Sequence, residues 1–195
     1  MSKIKNIIIP SLIIFIILLF LLYYLVIYYS KNLPSINEII DYDPKTITKI
    51  FSREKEFMGI FFDEKREYRS LDKIPKLIIN AFISAEDKNF FKHSGYDILG
   101  YIKAIFGYFK DGKLRGASTI TQQITKSFLL SGERSFERKI KELILTIRLE
   151  KSLPKDKILE IYLNDVYLGE NSYGVAAASK TYFSKDLEEL TPGEA

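Results

Sequence analysis

The chain has 195 residues, 47% of them hydrophobic, with a formal net charge of +4. That is enough for one packed domain plus an anchor; the charge suits an anionic membrane or a phosphate-bearing ligand and makes no case for nucleic acid. Cysteine is absent and histidine occurs once, at His93, which excludes a disulfide framework, a thiolate metal site, a cysteine nucleophile and any site built on two histidines.

The first predicted element is a membrane anchor. After a short tail, residues 1–6, the stretch 7–29 is almost continuously apolar and uncharged, long enough to cross roughly 30 Å of hydrocarbon as a helix. Pro10 falls in its first turn, where a missing N–H costs little. Tyr23, Tyr24, Tyr28 and Tyr29 crowd its far end, as interfacial aromatics do. A cleaved signal peptide would have a shorter apolar core and a small-residue cleavage site. Lys3 and Lys5 precede the span, so the positive-inside bias puts the N-terminus in the cytoplasm and the rest of the chain outside.

Residues 30–70 read as a juxtamembrane connector holding two short strands, Thr46 to Phe51 and Phe57 to Phe62, separated by a charged turn. From residue 71 to 195 the apolar spacing turns helical. One helix opens at Pro75 and ends at Glu86 and Asp87. A second is capped by Asp97 and runs to Phe109. A third starts at Ser118 or Thr119, a fourth at Ser135, a fifth near Pro154, and a sixth covers Tyr173 to Phe183. Thr191-Pro192-Gly193-Glu194 has the form of a capping box with proline at the first helical position. It announces a helix with almost no residues left to form it, so the domain is expected to continue beyond Ala195.

Four polar clusters interrupt these helices: Glu86 to Gly95, Gly116 to Gln123 with Lys126 beyond, Arg138 to Glu142, and Lys157 to Asn164. They offer two candidate catalytic carboxylates, several cations, and a hydroxyl- and amide-rich face. That set suits chemistry on a sugar attached to a phosphate. Thr119, Gln123 and Lys126 recur at i, i+4 and i+7, one helix face; the N–H groups at that helix start favour an anion. Arg138 and Glu142 share a face, read either as a surface salt bridge or as part of a diphosphate site. Ile102, Ile105, Phe106, Tyr108 and Phe109 are too many for one core-facing stripe. Insertion at the bilayer surface and burial on all sides both give this pattern.

In order and spacing, the four clusters closely resemble the motifs of the peptidoglycan glycosyltransferases, glycosyltransferase family 51. Its members include the N-terminal domain of class A penicillin-binding proteins and the monofunctional transglycosylases. The resemblance covers roughly Pro75 to Ala195, and Ala177 to Lys185 looks like the family's fifth motif. It implies a mainly α fold: a lysozyme-like helical lobe beside a small membrane-proximal lobe. It implies polymerisation of lipid II onto a growing glycan strand, with inversion and release of undecaprenyl diphosphate. Implied partners are the membrane, a C-terminal transpeptidase domain and other cell wall synthesis proteins.

On this resemblance Glu86 is the general base, deprotonating the incoming hydroxyl on the face opposite the leaving group. Glu142 is the second catalytic carboxylate and the ligand of a divalent metal, Mg or Mn, bridging the diphosphate. Asp87, Phe90, His93, Ser118, Thr119, Gln122, Gln123, Lys126, Arg138 and Lys139 are the expected substrate-binding set, with His93 positioning the Glu86 loop. Glu160 and Asn164 are expected to be structural. Two departures stand out. Gly116-Ala117 replaces the usual glycine pair, after Arg115 where glutamine is common, and Lys103 stands where arginine is usual, which removes a bidentate contact. The rival readings are a lysozyme-like enzyme that cleaves glycan, which has no use for the diphosphate cations, and a membrane-anchored glycan-binding module without catalysis.

Overall fold

The computed structural model describes residues 2–31, 33–41, 48–61, 64–112, 116, 118–130 and 135–195. It is mainly helical. The N-terminal helix α1 runs Ser2–Ser30, and its portion Ile9–Ser30 is long and apolar enough to cross a membrane. Because the helix starts at Ser2, Pro10 lies inside it rather than in its first turn; membrane-spanning helices tolerate this. A one-turn helix α2 (Asn37–Ile40) follows, and its Ile39 is fully buried in the domain core. The connector is thus pegged to the domain it introduces.

Strands β1 (Thr48–Phe51) and β2 (Phe57–Phe61) form the expected antiparallel hairpin, with a register shift between Ile50 and Phe51. The outer residues of the two predicted runs, 46, 47 and 62, lie outside the described residues. A second pairing is invisible to period-two reasoning because each strand has only two residues: β3 (Lys65–Arg66) runs parallel to β4 (Ser172–Tyr173). Tyr173, expected to start a helix, belongs to this strand instead.

The helices of the main lobe are α3 (Lys76–Glu86), α5 (Ile120–Leu129), α6 (Phe136–Ser152), α7 (Lys155–Asp165) and α8 (Val175–Phe183). Between α3 and α5, α4 (Ile98–Asp111) stands apart. The caps follow side-chain chemistry. Thr119 caps α5 in a reciprocal box with Gln122, and Ser135 caps α6 by accepting from the Arg138 N–H. Asp97 accepts from the Gly100 N–H at the start of α4. α7 is the central helix: Ile158, Leu159, Ile161, Tyr162, Leu163 and Asn164 are all buried, the pattern of a helix enclosed on most sides.

The fourth cluster works as a strap. Asn164 accepts from the Arg69 N–H and donates to the Arg69 carbonyl, both at 2.8 Å, pairing with that residue as a strand would. Glu160 takes the Leu71 N–H, the Tyr68 hydroxyl and Lys157. Burial pushes its carboxyl up, but the three donors outweigh burial and hold it below the usual range. Gly174, at φ +80°, lets the chain turn against α7: a Cβ there would sit 2.6 Å from the Asn164 carbonyl oxygen.

Exposed apolar side chains concentrate on α1 and α4. On α4, Ile98, Leu99, Ile102, Phe106 and Phe109 face outward, with Phe109 81% exposed. Of the two explanations for the predicted stripe, burial on all sides is removed for its Ile102, Phe106 and Phe109. The side chains of Ile105 and Tyr108 lie outside the described ones.

Candidate functional site

Glu86 ends α3 with its side chain exposed. A helix C-terminus repels a carboxylate through the unpaired carbonyls, and here the compensation comes from α5: Gln123 Nε2 donates to Glu86 Oε2 at 2.8 Å. Its neighbour Asp87 turns the other way. It is 6% exposed, and its carboxylate accepts from His93 Nε2 at 2.8 Å and from the Ile120 N–H at 3.1 Å. His93 Nδ1 in turn accepts from the Gly95 N–H, which puts the imidazole proton on Nε2, facing Asp87. Two adjacent acids therefore part company. Asp87 ties α3 to the first turn of α5, and Glu86 is left facing solvent.

Gly95 closes the loop between them. Its carbonyl accepts from Thr119 Oγ1 at 2.7 Å. It has φ +93°, and a Cβ there would lie 2.7 Å from Thr146 Cγ2 and 3.0 Å from Glu150 Cγ, both on α6. Ser84, Glu86, Lys88, Asp97, Ser118 and Thr119 line a small depression at the end of α3. Asp97 is held below the usual carboxylate range by its hydrogen bonds from Asn89 and the Gly100 N–H.

On the other side of Gln123 a larger cleft of about 610 Å³ opens. Lys126 and Ser127 extend the α5 face into it, and Tyr162, Asp165, Tyr167 and Tyr173 also line it. Arg66 is fixed there by Glu64 and Asp165, with its guanidinium 4.3 Å from the Tyr173 ring centroid. Burial raises the Asp165 carboxyl, opposed by Arg66. Aromatic faces beside paired charges and hydroxyls make a surface suited to sugars.

The expected set divides by direction. Ser118, Gln123 and Lys126 face the two depressions. Gln122 points inward: it is 1% exposed, and its Oε1 accepts from the Thr119 N–H and the Tyr101 hydroxyl. Phe90 is fully buried, with the Lys155 ammonium 4.3 Å from its ring centroid, and has no surface to offer a ligand. Glu142 is 3% exposed and pairs with Lys139 at 2.5 Å rather than with Arg138, while Lys141 pairs with Glu137. Arg115 and Ala117 lie outside the described residues; Lys103 is exposed on α4.

The donor set for a metal is thin. Among the described residues no three His, Asp or Glu side chains cluster, and the Glu142 carboxylate is already engaged by Lys139. The residues present do not make a preformed metal cage. Sequence reasoning missed the buried ties behind the site: Asn89 on Asp97, Tyr101 on Gln122, and Glu150 joining Thr121 to Lys155. Only the Asn89–Asp97 spacing left a local trace; the others join residues on different elements.

Fold and site together define a membrane-anchored, mainly helical domain in which a solvent-facing carboxylate meets cations and a hydroxyl-lined cleft. Comparison with known proteins agrees. The family model described as Transglycosylase matches residues 54–195. Penicillin-binding protein 1A of Rickettsia typhi is 43% identical over 171 residues, covering 86% of this chain and 22% of that protein. The penicillin-binding protein 1A of Neisseria flavescens is 45% identical over 164 residues, covering 84% of this chain and 21% of that protein. This chain belongs to the transglycosylase family. It spans about a fifth of the length of these relatives.

Proposed function

We propose that this chain is the peptidoglycan glycosyltransferase part of a cell wall synthesis protein, polymerising lipid II into glycan strands. The observation that carries the reading is Glu86: an exposed carboxylate oriented by Gln123 at the junction of two depressions. In the proposed reaction the 4-hydroxyl of the incoming sugar attacks the anomeric carbon of the lipid-linked strand. Glu86 takes the hydroxyl proton as the C–O bond forms, and the bond to undecaprenyl diphosphate breaks on the opposite face, inverting the centre. Lys126, Arg138 and Lys139 meet the departing diphosphate, whose charge grows as the bond breaks. A Mg or Mn ion, if bound, would be held on the protein side by Glu142 and would neutralise charge developing on the leaving diphosphate.

The exposed stripe on α4 supports a domain seated on the bilayer, where a lipid-linked substrate is found. With the N-terminus inside, the cleft faces outward. The relatives are named as penicillin-binding proteins and are about five times the length matched here, and we assign a further, transpeptidase domain to the whole protein. Glycan cleavage is disfavoured because it gives no work to the Lys126, Arg138 and Lys139 cations. The test is glycan polymerisation from lipid II by the full-length protein and its Glu86→Gln variant. Retained polymerisation in the variant overturns Glu86 as the base. Shortening of preformed glycan without release of polyprenyl diphosphate overturns the synthetic reading.

A further inference from the structure

We infer that Tyr162, at the centre of α7, is a positioning residue for the reaction: its hydroxyl fixes the Gln123 amide so that the NH₂ end faces Glu86. The inference rests on the proposed role of Glu86 as base.

The two ends of a glutamine amide are alike in shape and opposite in polarity. Only the NH₂ end suits an ionised carboxylate, and with the amide reversed, Oε1 would face the base and repel it. Gln123 is held from both sides. Its Nε2 donates to Glu86 Oε2 at 2.8 Å, and its Oε1 accepts from the Tyr162 hydroxyl at 3.5 Å. The second contact is long, and its effect is to choose an orientation rather than to add a strong bond. A phenol can serve this purpose only if it stays protonated and cannot swing away. Tyr162 is 3% exposed, and its ring packs edge-on against Phe82, with centroids 6.2 Å apart, on the same helix that ends at Glu86. Burial, with the charges of Glu86 and Asp87 close by, pushes its hydroxyl well above the usual tyrosine range. It therefore stays protonated at neutral pH and is available as a donor. The fourth cluster thereby gains a role in the chemistry beyond the strapping done by Glu160 and Asn164.

Tyr162→Phe in the full-length protein keeps the ring and removes the hydroxyl. The expected result is a fall in kcat for lipid II polymerisation of about five- to tenfold, the scale of one neutral hydrogen bond. KM should stay within about twofold of the parent and the melting temperature should be unchanged. Gln123→Ala should lower kcat at least as much. Adding Tyr162→Phe to that background should cost nothing more, because the hydroxyl acts only through the amide. An unchanged kcat in Tyr162→Phe overturns the inference. So does a pair of losses that multiply in the double variant, or a fall in kcat accompanied by a lower melting temperature and a shifted KM. Survival of activity in Glu86→Gln is a different result: it removes the base and takes this inference with it, whereas an inactive Glu86→Gln beside an unaffected Tyr162→Phe leaves the base standing.

Discussion

Glu86 and Glu142 are the same amino acid in opposite settings. Glu86 stands exposed at a helix end, touched by a neutral amide. Glu142 lies within α6, 3% exposed, and is paired with a lysine. An exposed carboxylate keeps its water and can take up a proton as a reaction demands. A buried, paired one is committed to its cation, since removing the lysine leaves a desolvated carboxylate without compensation. The contrast teaches that the first acid is accessible, as the proposed base must be, and that the second holds Lys139 in place.

The variants that probe this contrast most strongly act on the first acid. Glu86→Gln should reduce polymerisation by at least about a hundredfold while moving the unfolding free energy by less than about 0.5 kcal/mol, as at an ordinary surface position. A clear loss of stability in denaturant unfolding would break the contrast. Gly95→Ala should cost about 2–3 kcal/mol in the same measurement, combining a left-handed backbone with overpacking against α6. Its loss of activity should follow from displacement of the Asp87–His93 tie rather than from Glu86 itself. Glu142→Gln should lower both readouts, with stability down by about 1–2 kcal/mol. Activity lost with unfolding unchanged would move Glu142 to the same side as Glu86.

The smallest expected effect is at Asp97, which caps α4 beside the Glu86 depression. Asp97→Ala should cost about 1 kcal/mol at neutral pH. Because the folded carboxyl is held below its ordinary value, its contribution is complete above about pH 4 and is lost as pH falls through the folded value. The gap between parent and variant should therefore close in acid, as thermal melts across pH would record.

Much of this was legible in the chain. The anchor, the hairpin, the helix starts at Thr119 and Ser135, and the structural place of Glu160 and Asn164 follow from local chemistry and periodicity. Direction within a cluster was not. Gln122 and Gln123 are adjacent and identical in type, and one turns to the core while the other turns to Glu86, because α5 buries only one face. Adjacent Glu86 and Asp87 divide in the same way at the end of α3. The β3–β4 pairing joins residues more than a hundred positions apart through two-residue strands, and no periodicity can show in so short a run. Phe90 was expected to touch a ligand because it sits in the first cluster, yet an aromatic next to a loop is as well placed to plug the core beneath it.

The peg at Ile39 has a further consequence. Ser30 ends the membrane helix and Ile39 is locked in the core, so fewer than ten residues join bilayer to domain. Even fully extended, that leash reaches only about 30 Å. The anchor helix α1 also packs directly against α6, so the main lobe is held at a nearly fixed height above the bilayer, and on the proposed function a strand made there leaves sideways or upward from a stationary point.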